Sequence, residues 1–241
     1  MLMNIKVFPD LAALSRAAMD ETLGIVRDAV AKRGRFAIAL SGGHTPKKMY
    51  ELWATKPYRD QTPWDRVHLF WGDERYVAHD DSLSNFRMTR ESLISYVPIP
   101  PANVHPVPTV SATPDKSAQE YEEELRDFFG AGQSPAFDLV LLGTGPEGHT
   151  ASLFPGAPAV EEKQRWVLPV TVKATPPQRI TLTLVVLNQA RNTLFLVSGK
   201  DKRAIIGALR AEPDSKPSQY PAGRVQPAGP VHWFLDQAAL G

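Results

Sequence analysis

With 241 residues, 27 basic against 26 acidic and a formal net charge of +1, the chain has the size of one large α/β domain and too weak a field to attract nucleic acid or a membrane surface. The absence of cysteine excludes disulfides, iron–sulfur clusters and a thiol nucleophile, and fits a reducing, cytoplasmic compartment. Residues 1–9 lack a basic region followed by a long apolar core, and no apolar run approaches the roughly 20 residues of a membrane helix, so a soluble chain without a signal peptide is expected.

Ile5 to Phe8 reads as a short strand stopped by Pro9. Asp10 then suits the cap of a helix whose apolar positions Leu11, Leu14, Ala18, Ile25, Val26 and Val30 recur near a 3.6-residue period. Gly34 ends it, and Phe36 to Leu40 is a second strand. Ser41-Gly-Gly-His-Thr-Pro46 leads into a helix through Met49, Leu52 and Trp53, with Pro46 placed for the first turn. Val67 to Trp71 is a third strand, followed by a polar loop from Gly72 to Asn85 and a helix over 88–94.

Residues 98–114 are rich in proline and polar residues, and a helix follows over 118–129, with Glu120, Glu122, Glu123 and Glu124 read as its acidic first turns. Further strands are expected at 137–142, 167–172, 180–183, 193–197 and 231–235, with a helix over 201–209 and a proline-rich loop over 213–230. Strands that alternate with helices predict an α/β fold with a mostly parallel sheet, in one domain spanning 1–241.

The apolar run Phe137 to Leu142, bounded by glycine, has the character of a buried parallel strand. It runs into Gly143-Thr-Gly-Pro-Glu-Gly-His-Thr-Ala-Ser-Leu-Phe-Pro155. Ligands of open α/β sheets sit beyond the carboxyl ends of strands, so Glu147 and His149 stand where chemistry is usually done. Among six histidines, His149 is the candidate base, because a nearby carboxylate holds a histidine's tautomer and raises its basicity. No cysteine exists and no second histidine follows at three to five residues, so a metal is not expected there.

Ser41, Gly42, Gly43 and Thr45 join a strand to a helix start, where backbone N–H groups and hydroxyls suit a phosphate. The same pattern also suits an ordinary glycine-rich turn with Thr45 as helix cap. Gly72-Asp-Glu-Arg75 reads either as a solvated loop or as a carboxylate, Asp73 or Glu74, beside an oxyanion-pairing Arg75. Asn85 is either a helix cap or a ligand contact. Arg179 lies before a strand, and Lys202 at a helix start, where a cation is better explained if an anion sits with it.

Taken in order, the Ser41–Pro46, Gly72–Arg75, Ser84-Asn85, Gly143–Pro155, Arg179–Thr183 and Gly199–Lys202 segments resemble the 6-phosphogluconolactonase family. Tyr220-Pro-Ala and Val231 to Asp236 extend the resemblance over nearly the whole chain. It implies a doubly wound α/β fold with helices on both faces of the sheet, and hydrolysis of 6-phospho-D-glucono-1,5-lactone in the pentose phosphate pathway. It further implies His149 as general base and Asp73, Arg75 and Asn85 as active-site residues. The Ser41–Thr45 loop, Arg179 and Lys202 would hold the substrate phosphate, with no metal or organic cofactor. The expected partner is that small phosphorylated sugar lactone, with the protein a monomer or weak homo-oligomer.

The family usually has Asp where this chain has Glu147, and a small residue where it has His44. It shares its fold with glucosamine-6-phosphate deaminases, which need an acidic residue five positions after the histidine. Phe154 stands there, which favours hydrolysis over deamination. A sugar-phosphate sensor without turnover is the third alternative.

Overall fold

The computed structural model describes residues 3–130, 134–212 and 217–240. The chain opens with β1 (Asn4–Phe8) and α1 (Leu11–Arg33). Asp10 caps α1 by accepting from the Ala13 N–H at 2.7 Å, and Gly34, at φ 72°, ends it with an N–H to the Val30 carbonyl. Left-handed backbone of this kind costs glycine nothing and other residues a clash. Then follow β2 (Phe36–Leu40), α2 (His44–Trp53), α3 (Tyr58–Gln61), β3 (Val67–Trp71), β4 (Asp73–Arg75), α4 (Asn85–Ser92) and α5 (Pro114–Phe129). The second half contains β5 (Leu139–Leu142), β6 (Val167–Thr171), β7 (Gln178–Leu182), α6 (Leu184–Leu187), β8 (Thr193–Val197), α7 (Arg203–Ala211), β9 (Val231–Asp236) and α8 (Gln237–Leu240).

Six strands form a sheet in the order β1-β9-β8-β5-β2-β3, every neighbouring pair parallel. All residues of β2, β5 and β8 are buried. Because successive side chains leave a strand on opposite sides, this requires cover on both faces of the sheet. Burial on both faces explains why these strands read as unbroken apolar runs. Two buried tyrosines pin strand ends near the site. The Tyr50 hydroxyl from α2 donates to the Ser41 carbonyl at 2.9 Å and accepts from its N–H at 3.0 Å. Tyr121 of α5 does the same for the two backbone groups of Trp71, at 3.0 and 2.9 Å.

Several boundaries differ from the sequence reading. The segment after Trp71 is not all loop: Asp73–Arg75 is a strand of a separate antiparallel sheet, ordered β4-β7-β6. Its three charged residues disguise it, since Asp73 and Glu74 are buried and held by tertiary hydrogen bonds rather than by water. Helix α5 begins four residues early, with Thr113 accepting from the Lys116 N–H at 3.1 Å and Pro114 in the first turn. Only Asp115 is therefore acidic in that turn, and the glutamates fall further along. The expected helix at 201–209 is a 3-10 turn, Lys200–Lys202, followed by α7. Of the proline-rich segment 213–230, the first four residues lie outside the described ones. The rest includes a 3-10 turn, Pro221–Arg224, whose Ala222 N–H bonds the Gly148 carbonyl at 3.1 Å. No helix of the described residues is long and apolar enough to cross a membrane.

Candidate active site

The parallel register brings the carboxyl ends of β2, β3, β5 and β8 to one edge of the large sheet. From β2 the chain proceeds outward to β3, whereas β5, on the other side of β2, leads toward β8 and β9. The connections therefore part between β2 and β5, the kind of crevice in which doubly wound sheets bind ligands. A cavity of about 300 Å³ opens there. Ser41, Gly42 and Gly43 line it from β2, Thr144 and Gly145 from β5, Asp73 and Arg75 from β4, and Arg179 from β7. Asn85, His149, Ser152, Phe154 and Lys202 complete the polar and aromatic wall.

The alternation of β4 sorts its three charges. Asp73 and Arg75 share the face that lines the cavity, and Glu74 points the other way. There the buried Glu74 carboxylate accepts from the N–H groups of Arg75, Asn85 and Phe86, each at 2.7 Å, and from the Ser84 hydroxyl at 3.0 Å. These donors include the start of α4, which places Asn85. The Asn85 amide donates to the Asp73 carbonyl at 2.9 Å. A side chain at Gly42 would collide with that amide, so the loop after β2 approaches α4 only through glycine. Asp73 itself accepts from the Ser152 hydroxyl at 2.6 Å.

Pairing of β4 with β7 sets Arg75 directly opposite Arg179. Like charges across a strand pair repel, and such a pair persists where an anion joins it. Burial and the Arg75 charge both pull Arg179 below its ordinary proton affinity. Arg179 is anchored by donating from Nε to the Pro176 carbonyl at 2.8 Å, and Arg75 by donating to the Leu83 carbonyl at 2.6 Å. The buried Nε of Arg75 has no hydrogen-bond partner among the described residues. Lys202 adds a third cation. No side chain caps α2, whose first residues follow the Gly42-Gly43 loop.

The loop after β5 folds on itself through Gly145 N–H to the His149 carbonyl (3.1 Å) and Gly148 N–H to the Gly145 carbonyl (3.0 Å). Gly148, at φ 88°, also makes room for Tyr220. Ala151 takes φ 47°, a left-handed conformation uncommon outside glycine, in the tight turn that presents Ser152. His149 Nδ1 lies 3.0 Å from Glu147 Oε1, yet out of line for a hydrogen bond, so the carboxylate faces the ring without a directed bond. Burial pushes the Glu147 carboxyl up, but its own N–H, His149 and Lys202 outweigh that and hold it below the usual carboxylate range.

Of the residues singled out from sequence, Ser41, Gly42, Gly43, Asp73, Arg75, Asn85, His149, Arg179 and Lys202 meet in this cavity. Glu147 stands behind His149. Thr45 does not reach the wall and is not the cap, because α2 starts at His44 with Gly43 as its cap residue. His44 is exposed on that first turn. Ser152 escaped the sequence reading, and Phe154 was read only as a residue without a proton to transfer, although both lie in its most informative segment. Their partners decide their importance, and Asp73 is 79 residues away from Ser152. A wider depression of about 870 Å³ runs along α1 and β1. It mixes Lys6, Lys32, Arg33 and Arg191 with Asp20, Glu21 and Asp28, and gathers no reactive side chain. Among the described residues no cluster of three or more His, Cys, Asp or Glu side chains is suited to a metal ion.

The model of the family described as glucosamine-6-phosphate isomerases/6-phosphogluconolactonase matches residues 9–233. The chain belongs to this family. A 6-phosphogluconolactonase of Synechocystis sp. is 47% identical over 228 residues, 94% of this chain and 92% of that protein. One of Nostoc sp. is 41% identical over 98% of this chain and 96% of its own. The crystal structure of 6-phosphogluconolactonase from Thermotoga maritima superposes with a TM-score of 0.83 at 31% identity, covering 98% of this chain and all of that one. A monomeric glucosamine-6-phosphate deaminase shares the fold at 18% identity and a TM-score of 0.82.

Proposed function

We propose that this protein hydrolyses 6-phospho-D-glucono-1,5-lactone to 6-phospho-D-gluconate. The observation that carries the reading is one cavity lined by an imidazole and three cations, two of them paired across strands. A sugar phosphate supplies both needs: a dianion for the cations and an electrophilic carbonyl for a base-activated water. The names of the relatives at 47% and 41% identity support the same substrate.

In the proposed reaction Arg179, Lys202 and the N–H groups at the start of α2 hold the phosphate. That remote binding energy fixes the lactone carbonyl near His149. Neutral His149 takes a proton from water as the water oxygen bonds to the carbonyl carbon. Charge gathers on the carbonyl oxygen, where Arg75 stabilises it. The ring C–O bond then breaks, and the imidazolium returns its proton to the departing ring oxygen. Asp73, held by Ser152, orients the sugar hydroxyls or the water. Phe154 beside His149 has no proton to transfer, which weighs against an aminosugar ring-opening reaction.

The test is acid release from 6-phosphogluconolactone above its spontaneous rate, with ammonia release from glucosamine 6-phosphate in parallel. Lactone turnover is expected to fall about 10²–10⁴-fold in His149→Asn with the thermal midpoint unchanged. Turnover of glucosamine 6-phosphate alone would overturn the proposal.

A further inference from the structure

We propose that Phe154 is a positioning residue that, together with the side-chain-free backbone of Gly145, sets the plane of the His149 ring by packing. The inference rests on His149 being the base. A general-base histidine is usually oriented by a hydrogen bond at its second ring nitrogen. Here that bond is missing: Nδ1 is close to Glu147 but misaligned, and it is buried without a hydrogen-bond partner among the described residues. Something else holds the ring.

Two contacts do so. The Phe154 ring stacks on the imidazole with centroids 4.3 Å apart and planes 22° from parallel. At Gly145 a Cβ would occupy the space taken by Cε1 and Nδ1 of His149, and would also strike the Glu147 carboxylate. The imidazole therefore lies against an aromatic face on one contact and bare backbone on the other. Rotation about its Cβ–Cγ bond would drive the ring into one of them. The loop that carries both walls is closed by the Gly145 N–H to the His149 carbonyl and the Thr150 hydroxyl to the Gly143 carbonyl, 2.9 Å. Orientation by shape leaves Glu147 to act through charge alone.

Phe154→Leu keeps apolar bulk and removes the aromatic face. It is expected to lower kcat roughly 10- to 100-fold, the scale of a misplaced reacting group, with KM for the lactone nearly unchanged because the phosphate contacts lie elsewhere. Phe154→Tyr restores the face and should recover most of kcat. Gly145→Ala should reproduce the kcat loss. A second readout needs no turnover: the His149 ring-proton NMR signals, assigned by their absence in His149→Asn, should move downfield in Phe154→Leu and stay in place in Phe154→Tyr. The double variant His149→Asn/Phe154→Leu should be no slower than His149→Asn, since residues acting through one another are not additive. An additive loss, unshifted ring protons, or wild-type kcat in Phe154→Leu would each overturn the proposal. Full activity of His149→Asn by itself would instead overturn the assignment of the base, and the NMR comparison would still decide whether Phe154 holds the ring.

Discussion

Glu147 shows how much one side chain's role depends on geometry rather than identity. Its carboxylate touches His149 at 3.0 Å without a directed bond, and its proton affinity is depressed, so it is ionised at neutral pH. A charge contact tolerates length better than neutralisation. Glu147→Asp should keep most activity, and Glu147→Gln should lose about tenfold in kcat/KM, equivalent to about 1.4 kcal/mol. Equal rates for the Gln variant and the parent would remove Glu147 from the reaction. Arg179 and Lys202 are proposed to act on the phosphate instead. Replacing either by Ala should weaken binding of 6-phosphogluconate by roughly 1.5–3 kcal/mol, the worth of one charge-assisted pair, read by calorimetry. Arg179→Ala should do so with little change in thermal midpoint, because it also relieves the repulsion from Arg75 across the strand pair. Unaltered product affinity in both variants would take the phosphate away from these cations.

Elements place these side chains to within the tolerance that chemistry needs. Strand β4 is only three residues long, yet its alternation sends Asp73 and Arg75 into the cavity and Glu74 onto the start of α4. The two strand-end tyrosines are the comparable device for loops. In Tyr50→Phe the Ser41 N–H and carbonyl both lose their partner in a half-buried setting, which should cost about 1 kcal/mol in urea unfolding. The loosened loop should raise KM more than it lowers kcat, because it is proposed to meet the phosphate rather than the reacting carbon. A variant with unchanged stability and unchanged KM would show that the hydroxyl does not hold this loop. Neither tyrosine role was legible in the sequence. Tyr50 and Tyr121 lie on α2 and α5, and only the packing of those helices aims their hydroxyls at strand termini.

Across the whole molecule, acid sensitivity has an identifiable source outside the site. His68 of β3 faces His105 at 3.1 Å, and His105 in turn contacts Glu124 at 2.7 Å. Burial, then the His105 and Arg35 charges, lower the His68 value from 6.5 to about 4. Between those values the unfolded chain binds more protons than the folded one, so stability rises with pH from about 4 to about 6.5 and then levels. The urea midpoint should fall on acidification through this window, and His68→Gln should flatten that fall; parallel curves for the two proteins would show that His68 does not carry it. The apolar runs at Phe36, Val67, Leu139 and Thr193, with glycine or a polar turn after each, already dictated a buried parallel sheet. The same local pattern placed His149, Ser41 and Lys202 just beyond strand ends, because strand character and helix starts are properties of short windows. Which strands are neighbours is not such a property. Only the tertiary structure set Arg75 opposite Arg179, brought Ser152 to Asp73, stacked Phe154 on His149 and left Thr45 outside the cavity. The first two relations join residues tens of positions apart, and the last two follow from how one loop packs and where one helix starts, so register, hydrogen-bond geometry and shape, not local sequence preference, decide the outcome.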